Sequence, residues 1–388
     1  MGSTFRGRAA LGAALAAMVF AAGCGSDDDS STAASGAPAA DTTATAAADS
    51  GSSEAAKEVA AYSKTTGVKF PQPTEAFDPG TGKVAVISCG NAGINCLQGS
   101  KDVQAAAKAM GWTPSPIFDG EFTPAKQAGF VQQAIQQKYD AIVMVSMDAQ
   151  SIKAAVDAAA AAKIPIACVM CVNPSFAGKV TDVTSGGIAE GKALGAWIAA
   201  NAKDGKAKVV AYDDKSFPIV AVRRENMTSE LTKLCSGCEI EKADFPTSDL
   251  SKAGAPTFTG MLSSHPKGSL DFVAGPYDPA SIPFAKAAAQ QGRDDFKLTG
   301  YDASPDFLKL MTSGSGVAAA TTASPFPYAS WGAMDEVARL KAGKEAWDAS
   351  TLPSALVTAD NASEFKEGFF SPTDFDFKAM FTKLWGKS

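Results

Sequence analysis

The sequence predicts an α/β protein whose parallel sheets are shared between two lobes. From Lys83 onward, short apolar runs alternate with amphipathic helical stretches. Strands separated by helices require right-handed crossovers, which cover both faces of a parallel sheet. The run contains about ten such units, more than one sheet holds comfortably, so two lobes flanking a cleft suit it better than a single domain. Val84–Ile87 reads as the first buried strand, and Leu97–Met110 as a helix with Val103, Ala106, Ala107 and Met110 on one face. A helix capped by Thr123 and started by Pro124 leads into the strand Ala141–Val145. Ile152–Ala162 reads as helix and Pro165–Val172 as strand. The rhythm repeats with a helix over Gly187–Ala200, a strand over Lys208–Tyr212, and a helix over Ile219–Leu234 that keeps Val220, Met227, Leu231 and Leu234 in register. Phe272–Ala274, Lys297–Gly300 and Val317–Thr322 read as later strands, each followed by a helical segment.

Ahead of this region, Arg6 and Arg8 precede an apolar run from Ala9 to Ala22 and then Ala-Ala-Gly-Cys24. A bilayer span takes about 20 residues and a signal core about 7–15, so residues 1–23 read as an export signal. The segment resembles a bacterial lipoprotein signal, with Ala21 where most carry Leu, and the resemblance implies that Cys24 becomes the acylated first residue. Anchoring would then rest on more than one acyl chain. Residues 24–80 read as a tether and lead-in. The stretch up to Ser53 is nearly all Ala, Ser, Thr, Gly and Asp and buries too little apolar surface to fold. A short helix is expected near Glu54–Ser63, and Pro71, Pro73 and Pro79 mark an extended approach.

The formal charge of −6 becomes −8 once residues 1–23, with Arg6 and Arg8 and no acidic residue, are removed. A mildly acidic chain without a basic block argues against nucleic acid as a partner. Besides Cys24 there are three close pairs, Cys89/Cys96, Cys168/Cys171 and Cys235/Cys238. In an exported chain these favour disulfides, with a zinc site or a redox-active Cys168-Val-Met-Cys171 as alternatives. His265 is the only histidine, so a Ser–His–Asp triad would have to use it; no Gly-rich phosphate loop is present. The reading is therefore a non-enzymatic protein without cofactor or metal.

Several segments together carry a family resemblance: Asp140-Ala-Ile-Val with Asp148 just beyond, Ala161-Ala-Lys-Ile-Pro-Ile, Leu262-Ser-Ser-His-Pro266, Tyr277-Asp-Pro-Ala280 and Gly300-Tyr-Asp302-Ala. In order and spacing, Lys83 to about Thr358 resembles the type I periplasmic binding proteins of the ribose/galactose-binding branch. The resemblance implies two Rossmann-like lobes joined by three crossing strands. Residues 82–178 with 325–353 would form the N-terminal lobe, and 179–324 with 354–388 the C-terminal lobe. The family usually stops near the segment matching Leu356-Val-Thr358. Here a tail continues with Phe365, Phe369, Phe370, Phe377, Phe381 and Trp385, which implies packing onto a lobe.

Solutes in such folds bind at the carboxyl ends of parallel strands. Asn91 follows the first strand and its amide can donate and accept. Asp148 can accept charged hydrogen bonds from hydroxyls, or cap the helix near Ser151. The family's ligand arginine matches Arg223 or Arg224: ungapped comparison favours Arg223, whereas the apolar register turns Arg224 toward the lobe. Asp302 matches the family's second ligand carboxylate. Tyr277 stands where sugar binders commonly carry Asn, Ser324 stands near a common Gln, and Phe326 follows it. The usual aromatic pair after the first strand is replaced by Cys89, Ile94 and Cys96, while Phe217 and Phe245 offer other stacking faces. These departures point to a solute less polar than ribose. The resemblance thus implies a monomeric, lipid-anchored extracytoplasmic protein that captures a small molecule and passes it to an ABC permease. The alternatives are a ligand-presenting subunit of a chemosensory or quorum receptor, or a redox lipoprotein using Cys168 and Cys171.

Overall fold

A computed structural model describes residues 53–387, except 251, 253–255, 315 and 366–367. The signal, Cys24 and the first part of the tether lie outside the described residues. Among those described, no helix is long and apolar enough to cross a membrane.

The first sheet has the order β2-β1-β3-β4-β5, formed by Lys83–Ser88 (β1), Thr113–Asp119 (β2), Ala141–Val145 (β3), Ile166–Val169 (β4) and Val180–Val183 (β5), all parallel. Its crossovers are Ile94–Met110 (α2), Pro124–Gln136 (α3) and Lys153–Ala161 (α4), following residues 53–62 as α1. The second sheet joins Lys206–Asp213 (β6), Gly237–Asp244 (β7), Phe272–Ala274 (β8), Lys297–Thr299 (β9), Ala318–Ala323 (β10) and Ala355–Thr358 (β11), in the order β11-β10-β9-β8-β6-β7. Only β11 runs antiparallel to its neighbour among the described strands. Its helices are Ile188–Ala200 (α5), Pro218–Leu234 (α6), Pro256–Ser264 (α7), Asp278–Gln290 (α8) and Pro305–Thr312 (α9). The central strands β1 and β3 are buried nearly throughout, as expected of strands covered on both faces.

Three strands that the alternation did not single out lie at sheet edges. Pro114 and Pro116 interrupt β2, β5 is short and half polar, and β7 alternates charged with apolar residues. An edge strand tolerates proline and polar side chains because one side of its backbone needs no partner.

The chain passes between the sheets after β5, after β10, and after Phe326–Lys341 (α10), which packs on β3, β4, β5 and α2. At the first crossing Thr184 N donates to Ala349 O, and Leu352 N donates to Thr184 O, both at 2.9 Å. Two expected boundaries shift. Because β5 pairs with β4, the first lobe extends past Gly178 to Val183. The C-terminal tail returns to the first lobe instead of staying with the second: Phe377–Leu384 (α11) packs on α10 and α2. Its aromatic residues decide this. Trp385 is buried, stacks on Trp331 at 5.6 Å and donates Nε1–H to Asp335 Oδ1 at 2.8 Å. The lead-in is docked too. Ala55 of α1 sits in the core cluster of α5 and α6, and Phe77 N donates to Leu384 O at 2.9 Å.

The cysteines pair locally as disulfides, with Cα separations of 5.8 Å for Cys89–Cys96, 5.6 Å for Cys168–Cys171 and 5.4 Å for Cys235–Cys238. Cys168 and Cys171 are both buried, which keeps thiol partners from that pair.

Two predictions follow from this packing. Trp385→Ala should lower unfolding stability by about 3–5 kcal/mol, as for other large buried aromatics; a loss under about 1 kcal/mol in urea unfolding would show that the tail is not anchored as described. Glu336 of α10 accepts Trp347 N at 2.9 Å through Oε1, while Oε2 is buried without a partner. Burial raises its carboxyl from 4.5 to about 8. Its contribution is therefore complete below pH 4.5 and is lost as pH rises through about 8. Glu336→Gln should reduce the fall in Tm between about pH 5 and about pH 8.5, by about 2–4 °C for each kcal/mol recovered. An unchanged pH dependence would contradict this.

Candidate functional site

Each sheet reverses its strand order once, between β1 and β3 in the first and between β6 and β8 in the second. At such points the loops beyond the strand ends diverge and leave a crevice. The two crevices face each other across a cavity of about 80 Å³. Ile94, Asn95, Phe122 and Met170 line it from the first lobe, and Phe217, Val220, Arg223, Tyr277 and Asp302 from the second, with Phe326 at the start of α10. Phe122 and Phe217 meet edge to face across the lobes, with centroids 6.3 Å apart.

The floor of the cavity is built on a close helix pair. Gly191 and Gly195 of α5 face α6, and an added Cβ would lie 2.3 Å from Arg223 O and 2.6 Å from Met227 O. Without side chains at those positions α6 approaches closely enough for Arg223 to reach the first turn of α5. There Arg223 Nε donates to Glu190 Oε2 at 2.7 Å, while Nη2 donates to Asp302 Oδ1 at 2.8 Å and to Ser324 Oγ at 3.3 Å. The guanidinium lies 4.9 Å from the centre of the Tyr301 ring. Ser185 and Ser324, one on each of the first two crossings, both donate to Glu190 Oε1. Burial acts to raise the Glu190 carboxyl, but Arg223 and the two serine hydroxyls hold it below its ordinary value. Burial also raises the Asp302 carboxyl, and there Arg223 only partly offsets it.

Asp302 reaches the cavity through an unusual backbone, with φ 93° at Asp302 and 48° at Ala303. Non-glycine residues occupy that region at a cost, and the loop is held by its neighbours. Asp302 N donates to Thr322 O at 2.7 Å, and Ser304 N donates to Asp278 Oδ2 at 2.6 Å. Asp278 is itself buried and accepts Thr321 Oγ1 at 2.9 Å. Opposite stands Asn95, in the first turn of α2, buried and with Nδ2 lacking a hydrogen-bond partner. Its amide is near enough to Asp302 to favour the charged carboxylate, yet makes no hydrogen bond of ordinary geometry.

The residues expected from the sequence divide into three groups. Arg223, Tyr277, Asp302 and Phe326 line the cavity. The Tyr277 hydroxyl is already committed, donating to Asp214 Oδ2 at 2.8 Å, so the ring rather than the oxygen faces the cleft. Asp148 lines a neighbouring cavity of about 140 Å³ with Ser151 and Lys215, and Phe122 and Phe217 border both spaces. Its carboxylate accepts Gln150 N at 2.9 Å and Ser151 N at 3.2 Å, the capping role.

The remaining four stand off the main cavity. Asn91 donates its backbone N–H to Asp119 Oδ1 at 2.9 Å and does not line the cavity. Arg224 turns away and pairs with Asp213 at 3.1 Å and Asp244 at 3.7 Å, because neighbouring positions on a helix point about 100° apart. Phe245 is a core residue stacked on Phe258 at 5.1 Å. Ser324 is buried behind Arg223 and steadies Glu190. Sequence reasoning missed Asn95, Phe122, Met170 and Glu190. A signal existed for Asn95, four residues after Asn91, once α2 is known to start at Ile94 rather than Leu97.

The periplasmic binding protein domain matches residues 85–345. No curated protein matches the chain in sequence. Among solved structures it is similar to a sugar ABC transporter protein from Yersinia enterocolitica subsp. enterocolitica 8081, with 23% identity and TM-score 0.66, covering 79% of this chain and 95% of that one. It is also similar to an ABC transporter solute binding protein from Agrobacterium vitis with bound allitol, at 22% identity and TM-score 0.64, covering 73% and 97%. A third, from Bacillus halodurans C-125 with bound myo-inositol, has 19% identity and TM-score 0.65, covering 75% and 99%. These likenesses establish the two-lobed α/β fold. With the domain match covering most of its length and the cleft formed between paired parallel sheets, the chain belongs to the periplasmic binding protein family.

Proposed function

We propose that this chain is an extracytoplasmic lipoprotein, anchored through Cys24, that captures a small hydroxyl-bearing solute between its lobes and delivers it to an ABC importer. One observation carries the reading: Asn95 on the first lobe, buried with Nδ2 unpartnered, faces the Arg223–Asp302 pair on the second across the cavity between the lobes. A hydroxyl placed between them would accept from Asn95 and donate to Asp302, linking the lobes. Such a bridge exists only when the lobes are together, so the solute binds the closed form better and shifts the population toward it. In this reading the solute leaves chemically unaltered. Bound allitol and myo-inositol in the structural neighbours support a hydroxyl-bearing guest.

Thermal-shift screening of sugars, polyols and small cyclic alcohols tests this. At least one compound should raise Tm saturably, and Asp302→Ala should remove that rise while the unliganded variant stays folded, because Arg223 keeps its bond to Glu190. The loss should amount to about tenfold or more in affinity. An undiminished response in Asp302→Ala, or no response to any compound in the panel, would refute the proposal.

A further inference from the structure

The cavity is chemically lopsided. Its polar side chains are Asn95, Ser146, Arg223, Tyr277 and Asp302. The Tyr277 hydroxyl is committed to Asp214, and Arg223 uses Nε and one Nη2 bond on carboxylates of its own lobe. Ser146 borders both this cavity and the neighbouring one, so it lies at the boundary between them. The polar capacity is thus concentrated where Asn95 meets Asp302 and Arg223. Phe122, Met170, Phe217, Val220, Leu250 and Phe326 supply the apolar walls.

A polyhydroxylated ring carries a donor and an acceptor at nearly every carbon. Each hydroxyl buried against such walls without a partner loses its hydrogen bonds to water and gains none in return. An apolar ring gains instead from every part of its surface removed from water, and aromatic edges pack well on flat rings. Charge narrows the choice further. Two carboxylates, Glu190 and Asp302, flank the single guanidinium of Arg223, which leaves no surplus positive charge for an anionic solute. Size sets an upper limit: about 80 Å³ is below the roughly 150 Å³ of a cavity known to hold benzene, so a guest larger than one ring is disfavoured and even one ring requires the lobes to part.

Resting on the reading of this cleft as a capture site, we infer that its solute is a neutral single-ring alcohol or phenol, apolar over most of its surface, and not a sugar or polyol. The one hydroxyl sits between Asn95 and Asp302, and the ring lies against Phe217 and Phe326.

Isothermal titration of the purified full-length protein with cyclohexanol, phenol, myo-inositol and benzoate tests the inference. Cyclohexanol or phenol should bind at least about tenfold more tightly than myo-inositol, benzoate should give no saturable heat, and Asn95→Leu should weaken the alcohol by about tenfold with Tm retained. Binding of myo-inositol as tight as that of cyclohexanol, or saturable binding of benzoate, would overturn this inference and leave capture between the lobes standing. Alcohol heats unchanged in both Asn95→Leu and Asp302→Ala would overturn it as well, by locating the alcohol elsewhere. Failure of every compound, myo-inositol and a wider sugar panel included, would remove the capture reading along with it.

Discussion

Arg223 is held between two carboxylates in a site almost closed to water, and the rest of the cleft depends on that arrangement. Its side chain is 4% exposed, that of Glu190 0% and that of Asp302 13%. Burying such charges is costly unless each is matched, and removing one partner of a buried pair typically costs about 3–5 kcal/mol. The matching is distributed over separate parts of the chain. Glu190 comes from the first turn of α5, Arg223 from α6, Asp302 from the loop after β9, and Ser185 and Ser324 from two of the interlobe crossings. The network therefore ties the floor of the cleft to the segments about which the lobes would turn. A group that joins Asp302 from the opposite lobe enters a prearranged electrostatic environment with little reorganisation.

The fold explains why such a site can exist. Two open parallel sheets each present one crevice at their strand ends, and three crossings bring the crevices face to face. The first lobe contributes Asn95 and the apolar groups Ile94, Phe122 and Met170 to the cleft, whereas the second contributes the fixed charges. This division suits a clamp: one half orients the guest and the other completes its contacts. The C-terminal tail and the lead-in reinforce the first lobe along α10, where Arg339 donates to Glu75 O at 2.7 Å and lies over the Phe77 ring at 4.5 Å.

Much of this was legible in the sequence, for physical reasons that differ by residue. Central strands such as β1 and β3 announce themselves because burial on both faces demands continuous apolar runs. Asp302 was legible through the family resemblance, which matched it to a ligand carboxylate, and so was Arg223 apart from the ambiguity with its neighbour. That ambiguity was settled by the Gly191 and Gly195 contacts, which fix the rotation of α6 against α5 and depend on tertiary packing. Glu190 reads in sequence as an ordinary acidic residue near a helix N-terminus. Its burial follows only from what packs above it. Phe217 and Phe245 are equivalent in one dimension, yet stacking on Phe258 takes Phe245 into the core and leaves Phe217 in the cleft. The edge strands β2 and β7 escaped notice because edges relax the very pattern that marks a strand.

The central claim is that the lobes approach each other around a guest. The interlobe distance tests it most directly, read by single-molecule fluorescence between labels at Glu121 on the first lobe and Lys215 on the second, both exposed. Titration with cyclohexanol, and separately with myo-inositol, should move the distribution toward the shorter distance with at least one of them, and dialysis should reverse the change and return the compound chemically intact. A distribution unmoved by saturating amounts of either compound would contradict the account.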